Sequence, residues 1–260
     1  MITRIKNLLP TDIEPVAVKW WYYMRPVVKL IFFGRNRFCP VCESSTRLFL
    51  SHGPRTKQIK DIVCPVCFSH ERHRLSWSFL NSHTNLNDGS HKKLLHFAPE
   101  TEFARKFIRI PGIEYFSADL SSPHAKEKMD ITDIKWPDDS FDIIYCCHIL
   151  EHVTNDRRAM SEMYRVLKPG GWALIQVPIS RDQNTFEDPS ITDPAERERL
   201  FWWYEHVRLY GLDIENRLSE AGFHVDVVFG NQIIKPEDYE RMRINPDEPL
   251  FYCKKTAPLQ

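Results

Sequence analysis

Two cysteine pairs pose the first chemical question. Cys39-Pro40-Val41-Cys42 and Cys64-Pro65-Val66-Cys67 are separated by 21 residues, Glu43 to Val63. Each pair is a knuckle from which two thiolates can meet one ion, and two knuckles complete a tetrahedral shell. Four thiolates leave no open position, so the spacing predicts a structural zinc of the ribbon type, with Cys39, Cys42, Cys64 and Cys67 as ligands. The rival chemistries are a redox CxxC and a pair of disulfides. A redox motif needs one CxxC on a βα unit, not two in a short polar stretch. The chain has 7 Cys, an odd number, and no clean apolar export signal, which favours a reducing, cytoplasmic setting over a secreted framework. His70 and His73 lie close by, but four thiolates leave them no vacancy. The run Ser69-His70-Glu71-Arg72-His73-Arg74 is basic enough to meet a phosphate, or is simply a solvated helix start.

Proton chemistry falls to a second group. Cys146-Cys147-His148 closes a run, Phe141 to Cys146, that is apolar apart from Asp142 and of the kind expected for a central parallel strand. A histidine there has a pKa near the operating range of a general base. His152 is the second candidate, although capping or packing in the next helix turn is its plainer role. Further on, Tyr204-Glu205-His206-Val207-Arg208 offers His206 and Arg208. The guanidinium would suit a carboxylate or phosphate, unless the segment is a structural loop.

The elements that must position these groups alternate in pattern from residue 91 onward. Short strands are expected at Lys93–Phe97, Ile113–Ala118, Lys128–Ile131, Phe141–Cys146, Trp172–Val177, Phe223–Phe229 and Leu250–Cys253. Helices are expected after Thr101, after the cap Asn155, and over Leu212–Ala221. Seven strands with interleaved helices make an α/β fold, a doubly wound, mostly parallel Rossmann-like sheet, with a small N-terminal zinc ribbon ahead of it. The expected divisions are a basic aromatic arm over 1–37, the ribbon over 38–75, a connecting helix and linker over 76–90, and the large domain over 91–260.

Composition narrows the classes. Lys+Arg and Asp+Glu each number 35, so the chain is not a globally basic nucleic-acid binder. With 9 Gly among 260 residues, a glycine-rich phosphate cradle has little to draw on. No run of about 18 uncharged apolar residues is present to span a bilayer. Residues 1–38 hold seven basic and two acidic groups, leaving +5 there and −5 in the remainder. With Trp20, Trp21, Tyr22, Tyr23, Phe32 and Phe33 among those charges, the arm could rest on an anionic membrane surface, grip a partner, or pack as a helix on its own domain.

Several stretches taken together resemble the class I S-adenosylmethionine-dependent methyltransferases, of the type 11 kind. They are Met129-Asp130-Ile131-Thr132, Trp136-Pro137-Asp138-Asp139-Ser140-Phe141-Asp142, His148-Ile149-Leu150-Glu151-His152-Val153, and Glu162-Met163-Tyr164-Arg165-Val166-Leu167-Lys168-Pro169-Gly170-Gly171-Trp172. They occur in family order over residues 91–253. The resemblance implies S-adenosylmethionine as cofactor and assigns positions to it. Leu94-Leu95-His96-Phe97-Ala98-Pro99-Glu100-Thr101-Glu102 stands where the family has an acidic residue and then GxGxG. His96 and Ala98 would lie against the cofactor there, with Ala98 at the first glycine position and Glu100 at the second, where its carboxylate could take the methionine ammonium. Asp119 matches the residue that takes the ribose hydroxyls, and Asp130 the one that accepts from the adenine amino group, with Ile131 beside the ring. Cys147 and His148 fall where cofactor methyl and acceptor meet. His148 and His206 are the expected catalytic pair, and His152 and Arg208 the expected substrate contacts.

The NPPY or DPPY signature of amino-methylating nucleic-acid enzymes is absent. That argues against an adenine or glutamine amide acceptor, and the expected acceptor is a small molecule or glycan-type metabolite. A ribbon ahead of such a domain is also similar in architecture to the large-subunit rRNA guanine methyltransferases, which keeps RNA as the rival acceptor. A non-catalytic binding protein on the same fold is the rival of a different class. None of these stretches bears on oligomeric state.

Overall fold

The computed structural model describes residues 14–53, 58–122 and 125–257. Arg4, Lys6 and Asp12 of the basic arm lie outside the described residues. The chain groups into two compact units, Met1–Ser78 with Ile234–Asn245, and Phe79–Ile233 with Pro246–Gln260. The sequence reading placed residues 234–245 inside the large domain; in the structure they belong to the first unit.

The first unit opens with helix α1 (Glu14–Ile31) and two antiparallel hairpins, β1 (Phe33–Cys39) with β2 (Ser44–Thr46), and β3 (Leu50–His52) with β4 (Ile59–Val63). Hairpins this short bury little on their own, and the unit is fastened by specific polar contacts. The Trp21 indole and the Arg25 guanidinium both donate to the Val66 carbonyl, each at 3.2 Å, and Trp21 packs on Phe68 with ring centroids 4.7 Å apart. The arm therefore lies on the second knuckle. Its other face leaves Trp20, Tyr23, Met24, Val27, Leu30 and Ile31 exposed. Arg74, in helix α2 (Glu71–His83), is fully buried. Its guanidinium donates to the carbonyls of Met242 (2.6 Å), Ser69 (2.9 Å) and Ile62 (3.0 Å) and stands over the Phe49 ring. The expected phosphate contact by the run Ser69–Arg74 thus loses its last cation to the core.

The second unit carries a seven-stranded sheet. Its strands are β5 (Lys92–Phe97), β6 (Ile113–Asp119), β7 (Glu127–Lys128), β8 (Phe141–Cys147), β9 (Leu167–Gln176), β12 (His224–Phe229) and β13 (Pro249–Lys254), in the order β12-β13-β9-β8-β5-β6-β7. Only β13 runs antiparallel to its neighbours. From β5 the chain steps outward through β6 and β7, then returns to β8 on the other side. The β5/β8 junction is therefore the topological switch point, where open α/β sheets bind ligands beyond the strand carboxyl ends. The short ladder β10 (Phe186–Glu187) with β11 (Arg208–Leu209) lies outside this sheet. Helices α3 (Thr101–Arg109), α4 (Asp156–Val166), α5 (Pro194–Phe201), α6 (Ile214–Glu220) and the short α7 (Gly230–Ile233) complete the unit. A last short helix, α8 (Tyr239–Met242), belongs to the first unit.

Three local expectations shift. The third strand ends at Lys128, because the Asp130 carboxylate turns back onto the Thr132 amide and hydroxyl at 2.8 Å, so Asp130 and Ile131 sit in the loop. Thr101 is the first residue of α3 and not its cap; Glu100 holds the cap position with no side-chain cap bond. Asn155 does cap α4, accepting from the Arg158 amide. The strand after Lys168-Pro169-Gly170-Gly171 begins earlier than expected, at Leu167, with a register shift against β8 between Phe141 and Ile143. A Cβ on Gly171 would meet the Asp142 carbonyl at 2.8 Å, which is why that bulge needs glycine.

Candidate functional site

In the first unit, the Sγ atoms of Cys39, Cys42, Cys64 and Cys67 lie within 4.8 Å of one another. Cys39 and Cys67 are 3.6 Å apart and Cys42 and Cys64 3.7 Å. A disulfide needs about 2.05 Å. A tetrahedron with Zn–S bonds of about 2.3 Å has edges of roughly 3.8 Å. The observed separations exclude bonded pairs and fit the four-thiolate shell. The Ser69 hydroxyl stands 3.0 Å from Cys39 Sγ, an outer contact of the type that orients thiolate ligands. His70 and His73 are occupied with each other, the His70 amide donating to His73 Nδ1 at 3.1 Å.

In the second unit, the loop leaving β5 has a glycine-type backbone without glycine. Ala98, at the first glycine position of the resembled motif, adopts φ +45, a left-handed conformation costly for a residue with a Cβ. His96 is fully buried, and Glu100 is 25% exposed. Nε2 of His96 meets Glu100 Oε2 at 2.6 Å and Nδ1 meets the Tyr115 hydroxyl at 3.1 Å. Both ring nitrogens are thus engaged within the protein, so His96 orients Glu100 rather than touching a cofactor. Tyr115, which sequence reasoning missed, completes the pair. Asp119 ends β6 and accepts from the Ser121 and Ser122 amides at 2.7 and 2.5 Å, which fixes its carboxylate at the carboxyl edge of the sheet. Asp130 is exposed in its loop. Ile131 is buried in the core cluster with Met129 and Ile134, because the shortened β7 turns it inward. The Cys147 thiol is buried and directed at Gln176 Oε1, 3.6 Å away. Neither Ile131 nor Cys147 presents its side chain as expected.

Beyond the end of β8 the structure gathers three histidines around one carboxylate. His148 adopts φ +55, and the chain then makes a tight 3₁₀ turn, Leu150–His152. His148 Nδ1 lies 3.3 Å from Glu151 Oε1, with the carboxylate side chain only 1% exposed. Nε2 of His206 lies 4.0 Å from the same oxygen, and the His152 and His206 rings meet edge to face at 4.7 Å. His206 Nδ1 donates to the Phe201 carbonyl at 2.7 Å, which puts the proton on Nδ1 and the lone pair on Nε2. Burial pushes the His206 pKa below its usual value, against the opposing pull of Glu151. Glu151 joins the site from within the His148–Val153 stretch. Its spacing, three residues after His148 and one before His152, was the available signal.

Arg208 does not face a substrate. It is 3% exposed. Nη1 donates to the Leu150 carbonyl (2.9 Å) and to that of Val153, Nη2 to Thr154 (2.9 Å), and Nε to Glu187 Oε2 (2.8 Å). Asp156 and Arg217 extend the network, with Tyr210 donating to Asp156 at 2.7 Å. Burial pushes the Glu187 carboxyl up, but hydrogen bonds from Arg217 and Arg208 outweigh it and hold its pKa below the usual range. The Val207 amide donates to the Glu151 carbonyl at 2.9 Å. Arg208 and Val207 together tie the 150–154 turn to the segment carrying His206. Arg208→Met should cost about 1–3 kcal/mol, since it leaves the carbonyls of Leu150, Val153 and Thr154 without their donor, while Glu187 and Asp156 keep Arg217. A urea midpoint corresponding to a loss under about 1 kcal/mol would show that the turn is held by other means.

Comparison with known proteins places this site in context. The methyltransferase-domain family matches residues 99–175, from the loop after β5 to the end of β9. Ubiquinone/menaquinone biosynthesis C-methyltransferase UbiE of Pectobacterium carotovorum is 41% identical over 104 residues, covering 35% of this chain and 41% of its own. The chloroplastic 2-methyl-6-phytyl-1,4-hydroquinone methyltransferase 1 of Oryza sativa is 26% identical over 146 residues, covering 48% of this chain and 41% of its own. The chain thus spans less than half the length of these curated relatives. Among solved structures, an S-adenosylmethionine-dependent methyltransferase from Mesorhizobium loti aligns at 14% identity with TM-score 0.47, covering 69% of this chain and 96% of that one. Among the described residues no helix is long and apolar enough to cross a membrane.

Proposed function

Residues 99–175 being a methyltransferase domain, we propose that the protein transfers a methyl group from S-adenosylmethionine to a small-molecule acceptor at the carboxyl ends of β5 and β8. The observation that carries this reading is the juxtaposition at the switch point. β5 and β8 are parallel neighbours, so the left-handed Ala98 loop and the His148–Glu151–His206 cluster leave adjacent strand ends. When bound, S-adenosylmethionine supplies a sulfonium methyl for in-line displacement.

The chain's own residues then have distinct tasks. The backbone at Ala98 lets the cofactor approach, and Glu100, oriented by His96, faces the methionine end. Asp119 takes the ribose hydroxyls and Asp130 the adenine edge. Glu151 holds the proton of His148 on Nδ1, so that Nε2 is the basic nitrogen for an acceptor that must lose a proton. The two curated relatives named for quinone and hydroquinone methylation support an aromatic small-molecule acceptor. The RNA alternative is weakened by the burial of Arg74, which takes one cation from the basic run Ser69–Arg74. The first unit holds a structural zinc on its four cysteines.

Calorimetry with S-adenosylmethionine tests the reading. Binding is expected, and Asp119→Ala and Asp130→Ala should each weaken it by about 1–3 kcal/mol, the effect of removing a charged acceptor from partly desolvated donors. Two variants that bind like the parent would mean that the cofactor lies elsewhere. A parent that does not bind would favour the non-catalytic alternative.

A further inference from the structure

The second unit gathers a carboxylate and two imidazoles in a combination that methyl transfer by itself does not call for. We propose that Glu151, His152 and His206 form a divalent-cation site beside the acceptor position. The candidate ligand atoms of these three residues all lie within 4.8 Å of one another. Two imidazoles with one carboxylate suit borderline ions such as Fe²⁺, Co²⁺ and Zn²⁺ rather than Ca²⁺, which prefers an all-oxygen shell.

Three further features favour this assignment. The His206 imidazole donates Nδ1–H to the Phe201 carbonyl, the outer contact that typically fixes the tautomer of a metal-binding histidine and leaves Nε2 for the ion. The two segments that bring the ligands together are locked in advance, by the Val207 amide on the Glu151 carbonyl and by Arg208 on the carbonyls of Leu150, Val153 and Thr154. The ligands therefore need little ordering on binding. The Glu151 side chain is only 1% exposed, and a bound cation would add favourable charge beside its buried carboxylate. His152 is exposed, so an ion can enter from solvent. His148, whose Nδ1 faces Glu151, remains outside the ligand set and keeps its role as base. An ion here would select acceptors that offer it an oxygen, which rests on the methyltransferase reading; the cation site itself does not.

The test uses the full chain, loaded with zinc at its cysteines, titrated with Co²⁺ alone and followed by visible absorption. The expected result is uptake of about one further ion, with d–d bands and without the thiolate charge-transfer that exchange at the cysteines would give. His152→Ala, an exposed change that the fold should tolerate, and Glu151→Gln are each expected to weaken Co²⁺ binding by at least about tenfold. Uptake with thiolate bands alone, no uptake, or parental affinity in both variants with native circular dichroism would overturn the site. Because no methyl transfer is measured, such a failure leaves the proposed activity standing. Conversely, an inactive protein that still takes up Co²⁺ in this way fails only as a methyltransferase.

Discussion

Replacing His148 with alanine should lower turnover by about 10²–10⁴-fold on an acceptor that must lose a proton, while S-adenosylmethionine affinity stays near the parental value. The residue follows the central strand and holds φ +55, a backbone conformation that a side chain adopts only where its surroundings impose it. Nδ1 lies against a carboxylate that is 1% exposed, which assigns the proton to Nδ1 and basicity to Nε2. Its loss should therefore appear in kcat and flatten the acidic limb of the pH–rate profile, leaving cofactor binding untouched. On a thiolate or a neutral amine the loss should be small, because no base is needed. Parental turnover on a hydroxyl acceptor would sink the assignment.

Metal removal should have a still larger effect on the first unit. Cys39, Val41, Cys64 and Val66 are fully buried, so the thiolates are themselves the centre of this unit's core. Its strands have three to seven residues each, too little for two-stranded sheets to persist alone. Structural zinc sites of this kind contribute about 10–16 kcal/mol of folding free energy. Purified protein is expected to hold about one zinc per chain. Strong chelation, or Cys39→Ser, should remove hydrogen-exchange protection across residues 38–70 while the β5–β9 core keeps its own. Protection surviving in metal-free protein would refute the zinc role.

Much of this was legible from residue order. The run Phe141 to Cys146, apolar but for Asp142, read as a buried parallel strand, and the cysteine spacing predicted a four-sulfur cluster before any coordinates. What stayed hidden depended on long-range partners. His96 looked like a cofactor contact because its position in the motif says nothing of Tyr115, 19 residues away, or of Glu100 as its mate. Arg208 looked like a substrate clamp because the carbonyls that consume its donors lie more than 50 residues earlier. Ile131 looked like a wall of the adenine site until a side-chain turn at Asp130 shortened the strand before it. In each case a local pattern placed the residue correctly along the chain, and a hydrogen bond that the pattern does not encode, distant for His96 and Arg208 and local at Asp130, decided what it does.

The buried Arg74 has a consequence for how such a chain can be divided. Its guanidinium holds the Met242 carbonyl, 168 positions away in sequence, so the cysteine-bearing unit is built from two separated stretches. An accessory module appended in front of an enzyme can be lost or exchanged by a single cut. Here a cut after Ser78 would strand residues 234–245 without the structure that they help to build, and would leave Arg74 on the discarded piece without its Met242 acceptor. Recombination and deletion should therefore treat the cysteine-bearing unit and the domain that follows it in sequence as one heritable piece, and a laboratory truncation that removes only the front should yield less soluble protein than the intact chain.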